Sequence, residues 1–162
     1  MTEAALAFGS NLGDSAGMIR RAIDALDMMK GLSVRRVSSF YATPPWGVAD
    51  QPDFVNACAL VETAFEPLDL LEACKDLEVA LGRMPGERWG PRLLDIDLLW
   101  IQNAELDSER LTLPHPRMTA RAFVLVPLSE IAPHLVIDGR AVSDWVSRVD
   151  VSGVRRLPTD SR

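Results

Sequence analysis

Leu93-Leu-Asp-Ile-Asp-Leu-Leu-Trp-Ile101 is the stretch of this 162-residue chain that is most typical of a β-strand, and its place in the chain decides the fold class. Working backward from it, apolar periodicity predicts two helices and three further strands. These are helices over residues 18–29 and 67–81 and strands over residues 4–8, 34–42 and 54–62. The order βαββαβ predicts an α+β, ferredoxin-like core, with an antiparallel sheet and both helices packed on one of its faces.

The remaining residues, 103–162, form a C-terminal extension of this core. It contains a predicted helix around residues 122–130, a turn at Asp138-Gly139 and a polar end that we expect to fray. A chain of this length is expected to form a single domain spanning residues 1–162.

Composition and charge exclude several classes of protein. The chain carries 17 Lys plus Arg against 23 Asp plus Glu, for a net charge of -6, which argues against nucleic acid or an anionic membrane as a partner. Its apolar runs are far shorter than the roughly 20 residues of a membrane span. Cys58 and Cys74 lack the spacing of a zinc site or a disulfide framework, so we expect free thiols and a cytoplasmic location.

Two aspartates interrupt the deciding strand. Its alternation directs Leu94, Ile96, Leu98 and Trp100 to one face, and Asp95 and Asp97 to the other. Carboxylates about 6.6 Å apart on one strand face repel each other, and a cation offsets that repulsion. Mg²⁺ fits best because it uses a few carboxylates together with phosphate oxygens and water. The competing interpretation is that both side chains point into solvent from a half-exposed sheet.

Basic residues flank the aspartates on both sides in the sequence. Basic side chains around an aspartate pair indicate phosphoryl transfer, because that reaction depends on positioning the phosphate and on neutralising its charge. The alternative is a solvated surface of mixed charge. His115, which lies between two prolines, is equally explained as a turn residue whose side chain bonds to backbone. The residues are Arg83, Arg88 and Arg92 before the pair, and Arg110, His115, Arg117 and Arg121 after it.

Aromatic residues indicate a flat ligand next to these charges. Trp89 lies in the arginine-rich loop, and Phe54 shares a strand face with Asn56, whose amide both donates and accepts hydrogen bonds. An aromatic wall with an amide edge suits a fused, nitrogen-rich heterocycle. The alternative is that Phe54 belongs to the core and Trp89 packs under its loop. The chain contains no G-x-x-x-x-G-K-[ST] motif, which excludes a P-loop kinase.

Four segments of the chain resemble the 6-hydroxymethyl-7,8-dihydropterin pyrophosphokinase family of folate biosynthesis. They are Phe8-Gly-Ser-Asn-Leu-Gly-Asp14; Ser38-Ser-Phe-Tyr-Ala-Thr-Pro-Pro45 with Gln51-Pro-Asp-Phe-Val-Asn56; Arg88-Trp-Gly-Pro-Arg-Leu-Leu-Asp-Ile-Asp97; and Leu111-Thr-Leu-Pro-His-Pro-Arg-Met118 with Arg121-Ala-Phe123. The resemblance implies a ferredoxin-like fold and transfer of the diphosphate of ATP to the hydroxymethyl group of the pterin, with release of AMP.

The resemblance also implies roles for individual residues. It makes Asp95 and Asp97 the ligands of two Mg²⁺ ions, with Arg83 and Arg92 steadying the phosphates during transfer. It matches Glu78, Arg88, Arg110, Thr112, His115 and Arg121 to ATP-binding positions. It matches Thr43, Pro44, Trp46, Phe54, Asn56, Trp89 and Phe123 to the pterin pocket, with Phe54 and Phe123 on the two faces of the ring.

Some positions depart from members of the family. The loop Arg83-Met-Pro-Gly-Glu-Arg88 is short and lacks a second basic residue close to the first, and Arg88 is the candidate to compensate. Lys75 stands where some members have Gln, and Pro116 where some have an aromatic residue. We expect the segments 44–50 and 83–92 to close over bound ligands and exclude water.

Two other functions compete with this interpretation. A metal-dependent phosphohydrolase would use the same aspartates on another ester, and a ligand-binding module would need no catalysis, because fold alone does not settle function. For one compact domain, a monomer is the default expectation.

Overall fold

The computed structural model of this chain describes residues 1–11, 13–44, 52–82 and 94–158. Its helices are Ser15–Asp27 (α1), Pro67–Gly82 (α2), Ala122–Ile131 (α3) and Val142–Val146 (α4), with a 3-10 turn over Met118–Ala120. Its strands are Thr2–Ser10 (β1), Leu32–Val37 (β2), Tyr41–Thr43 (β3), Phe54–Thr63 (β4), Asp95–Ile101 (β5), Leu106–Asp107 (β6), Thr112–Leu113 (β7), Val136–Ile137 (β8), Arg140–Ala141 (β9) and Arg155–Arg156 (β10).

Within these ranges, six strands form one antiparallel sheet in the order β10-β3-β4-β1-β5, with β2 pairing with β4 beside β3. β1 and β4 are central, and β5 pairs with β1 alone among the strands of this sheet. The succession β1-α1-β2/β3-β4-α2-β5 confirms the predicted α+β, ferredoxin-like arrangement.

The first face of the sheet packs against α1 and α2, as predicted. Asp14 begins α1 by accepting a hydrogen bond from the Gly17 amide at 3.0 Å, and Pro67 begins α2 where its missing amide donor has no consequence. Apolar residues at helical spacing then meet the strands in what we call the first core, which includes Leu6, Phe8, Ile19, Leu26, Leu70, Cys74, Ile96 and Leu98.

The second face is covered by the C-terminal extension. The predicted helix near residue 122 is confirmed as α3, and Val124, Leu125 and Leu128 pack with α4 against the strands. This second core also contains Cys58, Leu99 and Met118. The sheet is therefore buried on both faces, which agrees with the apolar composition of both faces of β4.

The predicted position of Trp100 is wrong. Ala5 pairs with Trp100 but Leu6 pairs with Leu98, so a β-bulge places one extra residue, Leu99, in β5. A bulge reverses the alternation beyond it. Trp100 packs against the second core, and Ile101 takes its place in the first core.

Three other predictions need correction. The strand predicted over residues 34–42 is split into β2 and β3 at residues 38–40. α1 ends at Asp27, short of the predicted end at residue 29, and Gly31, with a φ of 87°, lies in the turn to β2. The polar C-terminal end does not fray at β10, which pairs with β3, while residues 159–162 lie outside the described ranges.

Glu130, near the end of α3, connects the second core to the segment that leads into β3. Its carboxylate accepts hydrogen bonds from the Ser39 amide at 2.9 Å, the Ser39 hydroxyl at 2.8 Å and the Tyr41 hydroxyl at 2.8 Å. Burial acts to raise the pKa of Glu130, but these hydrogen bonds outweigh it and hold the pKa below its ordinary value. Burial and the same contact raise the pKa of Tyr41 to about 12.

We predict that Glu130→Gln lowers the free energy of unfolding at pH 7 by on the order of 1 kcal/mol, because hydrogen bonds to an ionised acceptor are lost. A depressed native pKa stabilises the fold above the unfolded-state pKa and ceases to do so as pH falls through the native pKa. The difference between variant and wild type in urea unfolding should therefore shrink below about pH 4. Glu105→Gln, at an exposed site, is the control. A difference that is the same at pH 7 and pH 3 would contradict this account.

Candidate active site

Asp95 and Asp97 lie on the outermost strand of the sheet. Asp95 pairs with Gly9 and Asp97 with Ala7 of β1, and both aspartates are half-buried. Their side chains occupy the face opposite Ile96, which is fully buried in the first core. The strand therefore anchors its apolar face in the core and presents two carboxylates on the other face, as the sequence predicted.

Burial and the neighbouring carboxylate both act on the charge of Asp97. Burial raises the pKa of Asp97, and the Asp95 carboxylate raises it further, whereas His115, Lys75 and Arg121 act to lower it. The raising effects prevail even though a guanidinium nitrogen of Arg121 lies 4.0 Å from the Asp97 carboxylate. Two adjacent carboxylates, of which Asp97 has a raised pKa, fit a divalent cation, which would stabilise the ionised form. No cluster of three or more metal-binding side chains occurs among the described residues.

A cavity of about 250 Å³ opens on one side of Asp97. Three of the residues matched to ATP-binding positions line it, namely Arg110, Thr112 and His115. Lys75 also lines it. A guanidinium nitrogen of Arg110 lies 3.0 Å from the Glu72 carboxylate, and both side chains are more than half exposed. The structure therefore brings one aspartate and three predicted nucleotide residues together around one cavity.

His115 is held in one orientation by backbone contacts. Its amide donates to the Leu99 carbonyl at 2.8 Å, and its Nδ1 atom accepts from the Arg117 amide at 3.1 Å. A neutral imidazole that accepts at Nδ1 carries its proton on Nε2. Burial lowers the pKa of His115 although Asp97 acts to raise it, which favours this neutral form. Both sequence interpretations of His115 are therefore compatible, because it bonds to backbone and lines the cavity.

A second cavity of about 820 Å³ is lined by Thr43, Pro44, Arg121 and Phe123. The Arg121 guanidinium lies 5.7 Å from the centre of the Phe123 ring. Buried Asn56 donates from its side-chain amide to the Thr43 hydroxyl at 3.0 Å, and Phe54 pairs with Thr43 across β3 and β4. Five residues that the resemblance matches to the pterin pocket thus lie in or beside one cavity.

The same cavity has a wall that sequence reasoning missed. Val149, Asp150, Gly153 and Val154 line it, close to Thr43 and Pro44. β10 holds this segment by pairing with β3, and the Leu157 amide donates to the Phe40 carbonyl at 2.8 Å. The only hint in the sequence is the run of valines at 149, 151 and 154, which is too weak to distinguish a wall from a frayed end.

Glu78 makes a contact that its predicted role did not anticipate. Its carboxylate accepts the backbone N–H of Ile96 at 2.6 Å, and the Lys75 ammonium lies 3.4 Å from each of its oxygens. Glu78 is not among the described residues lining the smaller cavity. The predicted site residues Trp46, Arg83, Arg88, Trp89 and Arg92, and most of the two segments expected to close, lie outside the described residues.

Comparison with known proteins matches most of the chain to one family. A family model described as 7,8-dihydro-6-hydroxymethylpterin-pyrophosphokinase (HPPK) matches residues 5–133. The chain is 48% identical over 157 residues to the 2-amino-4-hydroxy-6-hydroxymethyldihydropteridine pyrophosphokinase of Methylorubrum extorquens, covering 97% of this chain and 99% of the relative. It is 43% identical over 154 residues to the enzyme of that name from Pseudomonas aeruginosa, covering 94% and 95%.

Solved structures share the fold. A crystal structure of wild-type HPPK-DHPS from Plasmodium falciparum matches with a TM-score of 0.71 at 15% identity, covering 96% of this chain and 47% of that chain. A structure of an HPPK-DHPS in complex with substrates matches with a TM-score of 0.75 at 14% identity, covering 96% and 46%. The present chain spans about half the length of those chains.

None of the helices in the described ranges is long and apolar enough to cross a membrane. The family match covers most of the chain, and the relatives match it over nearly their whole length. The chain therefore belongs to the 7,8-dihydro-6-hydroxymethylpterin-pyrophosphokinase family and is an ATP-dependent pyrophosphokinase of folate biosynthesis.

Proposed function

We propose that the two cavities are the two substrate sites, with 6-hydroxymethyl-7,8-dihydropterin in the larger cavity and ATP in the smaller. The observation that carries this proposal is that the linings of the two cavities come into contact. Asp97 lines the smaller cavity and Arg121 the larger, and the two side chains lie 4.0 Å apart. Diphosphate transfer needs a hydroxyl group and a phosphorus atom brought together where charge is neutralised.

The larger cavity suits the pterin because it combines aromatic and amide groups. We propose that Phe54 and Phe123 contact the two faces of the ring and that Asn56 and Thr43 bind its polar edge. The amide-to-hydroxyl hydrogen bond between Asn56 and Thr43 supports this proposal, because it fixes the orientation of both groups before a ligand binds. Pro44, Trp46 and Trp89 complete the proposed pocket.

At the junction we propose that Asp95 and Asp97 hold two Mg²⁺ ions. Their neighbouring positions on one face of β5 support this assignment, and so does the raised pKa of Asp97, because a cation there would offset burial and the repulsion from Asp95. The chemistry that the ions supply is neutralisation of the phosphate oxygens of ATP. The carboxylates themselves hold the ions at the junction of the cavities, and half-burial limits competing water.

The basic residues are proposed to bind the triphosphate and the nucleoside. Neutral His115 donates from Nε2. Thr112, on β7, and Arg110, which precedes β7, add further hydrogen-bond donors. Arg121, between the cavities, is placed to steady the phosphate group during transfer. Arg83, Arg88 and Arg92, which precede β5 in the sequence, complete the proposed set. None of these side chains is needed as a strong base, because phosphoryl transfer tolerates weak activation of its nucleophile.

We further propose that the enzyme acts as a monomer in the cytoplasm, without nucleic acid. The two buried free thiols support the cytoplasmic location, the net charge of -6 argues against nucleic acid, and a monomer is the default for a chain of this length.

The direct test is product analysis. Chromatography of a mixture of the protein, ATP, Mg²⁺ and 6-hydroxymethyl-7,8-dihydropterin is expected to show AMP and the pterin diphosphate in equal amounts. Mixtures lacking pterin or metal should yield neither. Free phosphate in the absence of pterin would favour the phosphohydrolase, and ligand binding without turnover would favour the binding module.

Asp97→Asn is predicted to lower kcat by about 100-fold or more while leaving the melting temperature equal or higher. The amide keeps the shape of the side chain and removes a charge that burial and Asp95 disfavour in the folded state. Steady-state kinetics and thermal unfolding measure the two effects. Asp107→Asn, at an exposed position on β6, is the control. Wild-type turnover in Asp97→Asn would remove the aspartate pair from the mechanism.

The two-cavity assignment predicts opposite effects of two substitutions. Phe123→Ala should weaken pterin binding by about tenfold through loss of ring contact and leave ATP binding unchanged. Arg110→Ala should weaken binding of a non-hydrolysable ATP analogue and leave pterin binding unchanged. Isothermal calorimetry with each ligand alone measures both, and each variant serves as the control for the other. Loss of pterin affinity in Arg110→Ala, with none in Phe123→Ala, would reverse the assignment.

A further inference from the structure

In the described part of the chain, no strand of the main sheet covers the outer edge of β5. Phe8 of β1 is the pairing partner of Ile96, but the Ile96 amide donates to Glu78 and thus faces away from β1. In an antiparallel pair, positions that bond to the neighbouring strand alternate with positions that do not. Ile96, between the two aspartates, is therefore a position where β5 must find a partner outside the sheet.

Glu78 supplies that partner from α2. Its carboxylate lies 2.6 Å from the Ile96 nitrogen, and only 11% of its side chain is exposed. α2 itself is anchored in the first core by Leu70, Cys74 and Leu77. The contact thus connects a helix fixed by apolar packing to the backbone at the centre of the aspartate pair.

Burial disfavours an ionised carboxylate at position 78 unless neighbouring groups stabilise its charge. Burial raises the pKa of Glu78, and the Asp95 carboxylate adds to the effect, while the Ile96 amide and Lys75 act to lower it. Lys75 lies 3.4 Å from both carboxylate oxygens and is one turn earlier on the same helix face. The ammonium therefore supports the ionised form, which is the stronger hydrogen-bond acceptor.

We propose that Glu78 is a positioning residue, which fixes the backbone of β5 between Asp95 and Asp97 by accepting the Ile96 N–H, with Lys75 as its counter-ion. It acts through the strand and does not contact the nucleotide. This inference rests on the proposed role of the two aspartates, because their separation and direction depend on the backbone that Glu78 holds. An edge strand without this bond would be free to shift at the point where two like charges repel each other.

Glu78→Gln and Glu78→Ala separate this role from nucleotide binding. The amide oxygen of Gln still accepts the Ile96 N–H, whereas Ala removes the acceptor. In Glu78→Ala we expect hydrogen exchange of the Ile96 amide, followed by NMR, to accelerate by about tenfold. We expect kcat to fall by a similar factor, with the affinity for an ATP analogue unchanged within threefold. In Glu78→Gln, Ile96 protection and kcat should largely return.

Asp76→Ala is the matched control, since it removes an exposed carboxylate from the same helix. Loss of ATP affinity in Glu78→Gln, with the Ile96 amide as protected as in the wild type, would overturn the proposal and return Glu78 to the nucleotide site. If Glu78→Ala does not fold, the ATP affinity and the Ile96 amide protection of Glu78→Gln decide between the two roles. Failure of the aspartate assignment is recognised separately, because Asp97→Asn would then keep its activity while Ile96 exchange still responded to Glu78→Ala.

Discussion

The whole arrangement depends on the burial of β1 from both sides and on both edges. Leu6 and Phe8 face the first core, and Ala5 and Ala7 face the second. β4 and β5 pair with the two edges of β1. A one-residue shift of a strand enclosed in this way would exchange the large side chains of Leu6 and Phe8 with the small ones of Ala5 and Ala7, which would overpack one core and underpack the other. β1 therefore fixes the register of β5, the strand that carries the two aspartates.

The site occupies the place where this enclosure stops. β5 has apolar anchors on one face, but its outer edge is partnered by side chains and loops: Glu78 bonds to Ile96, and the His115 amide bonds to Leu99. Asp97 can thus be half-buried beside the core and still line a cavity. Its raised pKa is the electrostatic consequence, because burial and the Asp95 carboxylate both disfavour its ionised form.

The proposed ligand-binding residues come from both parts of the chain. The βαββαβ core contributes the aspartates and the ends of β3 and β4, whereas the C-terminal extension contributes Arg110, His115, Arg121 and Phe123. Burial of Met118 and Val124 in the second core positions Arg121 and Phe123, whereas Leu111 and Leu113 anchor the segment that contains Arg110 in the first core. Glu130 strengthens the same connection through its hydrogen bonds to Ser39 and Tyr41. Stability and site geometry therefore depend on the same interactions.

The sequence by itself determined the element order, the apolar faces of the helices and of β4, and the placement of both aspartates on one strand face, because periodicity records which side of an element is buried. It also contained the motifs of the family. It did not determine the bulge that moves Trp100 to the second core, because a one-residue insertion in pairing depends on both strands. Nor did it determine that residues 149–154 line the larger cavity or that Glu78 binds the Ile96 amide. Those contacts join residues far apart in the chain, so only the packed structure decides them.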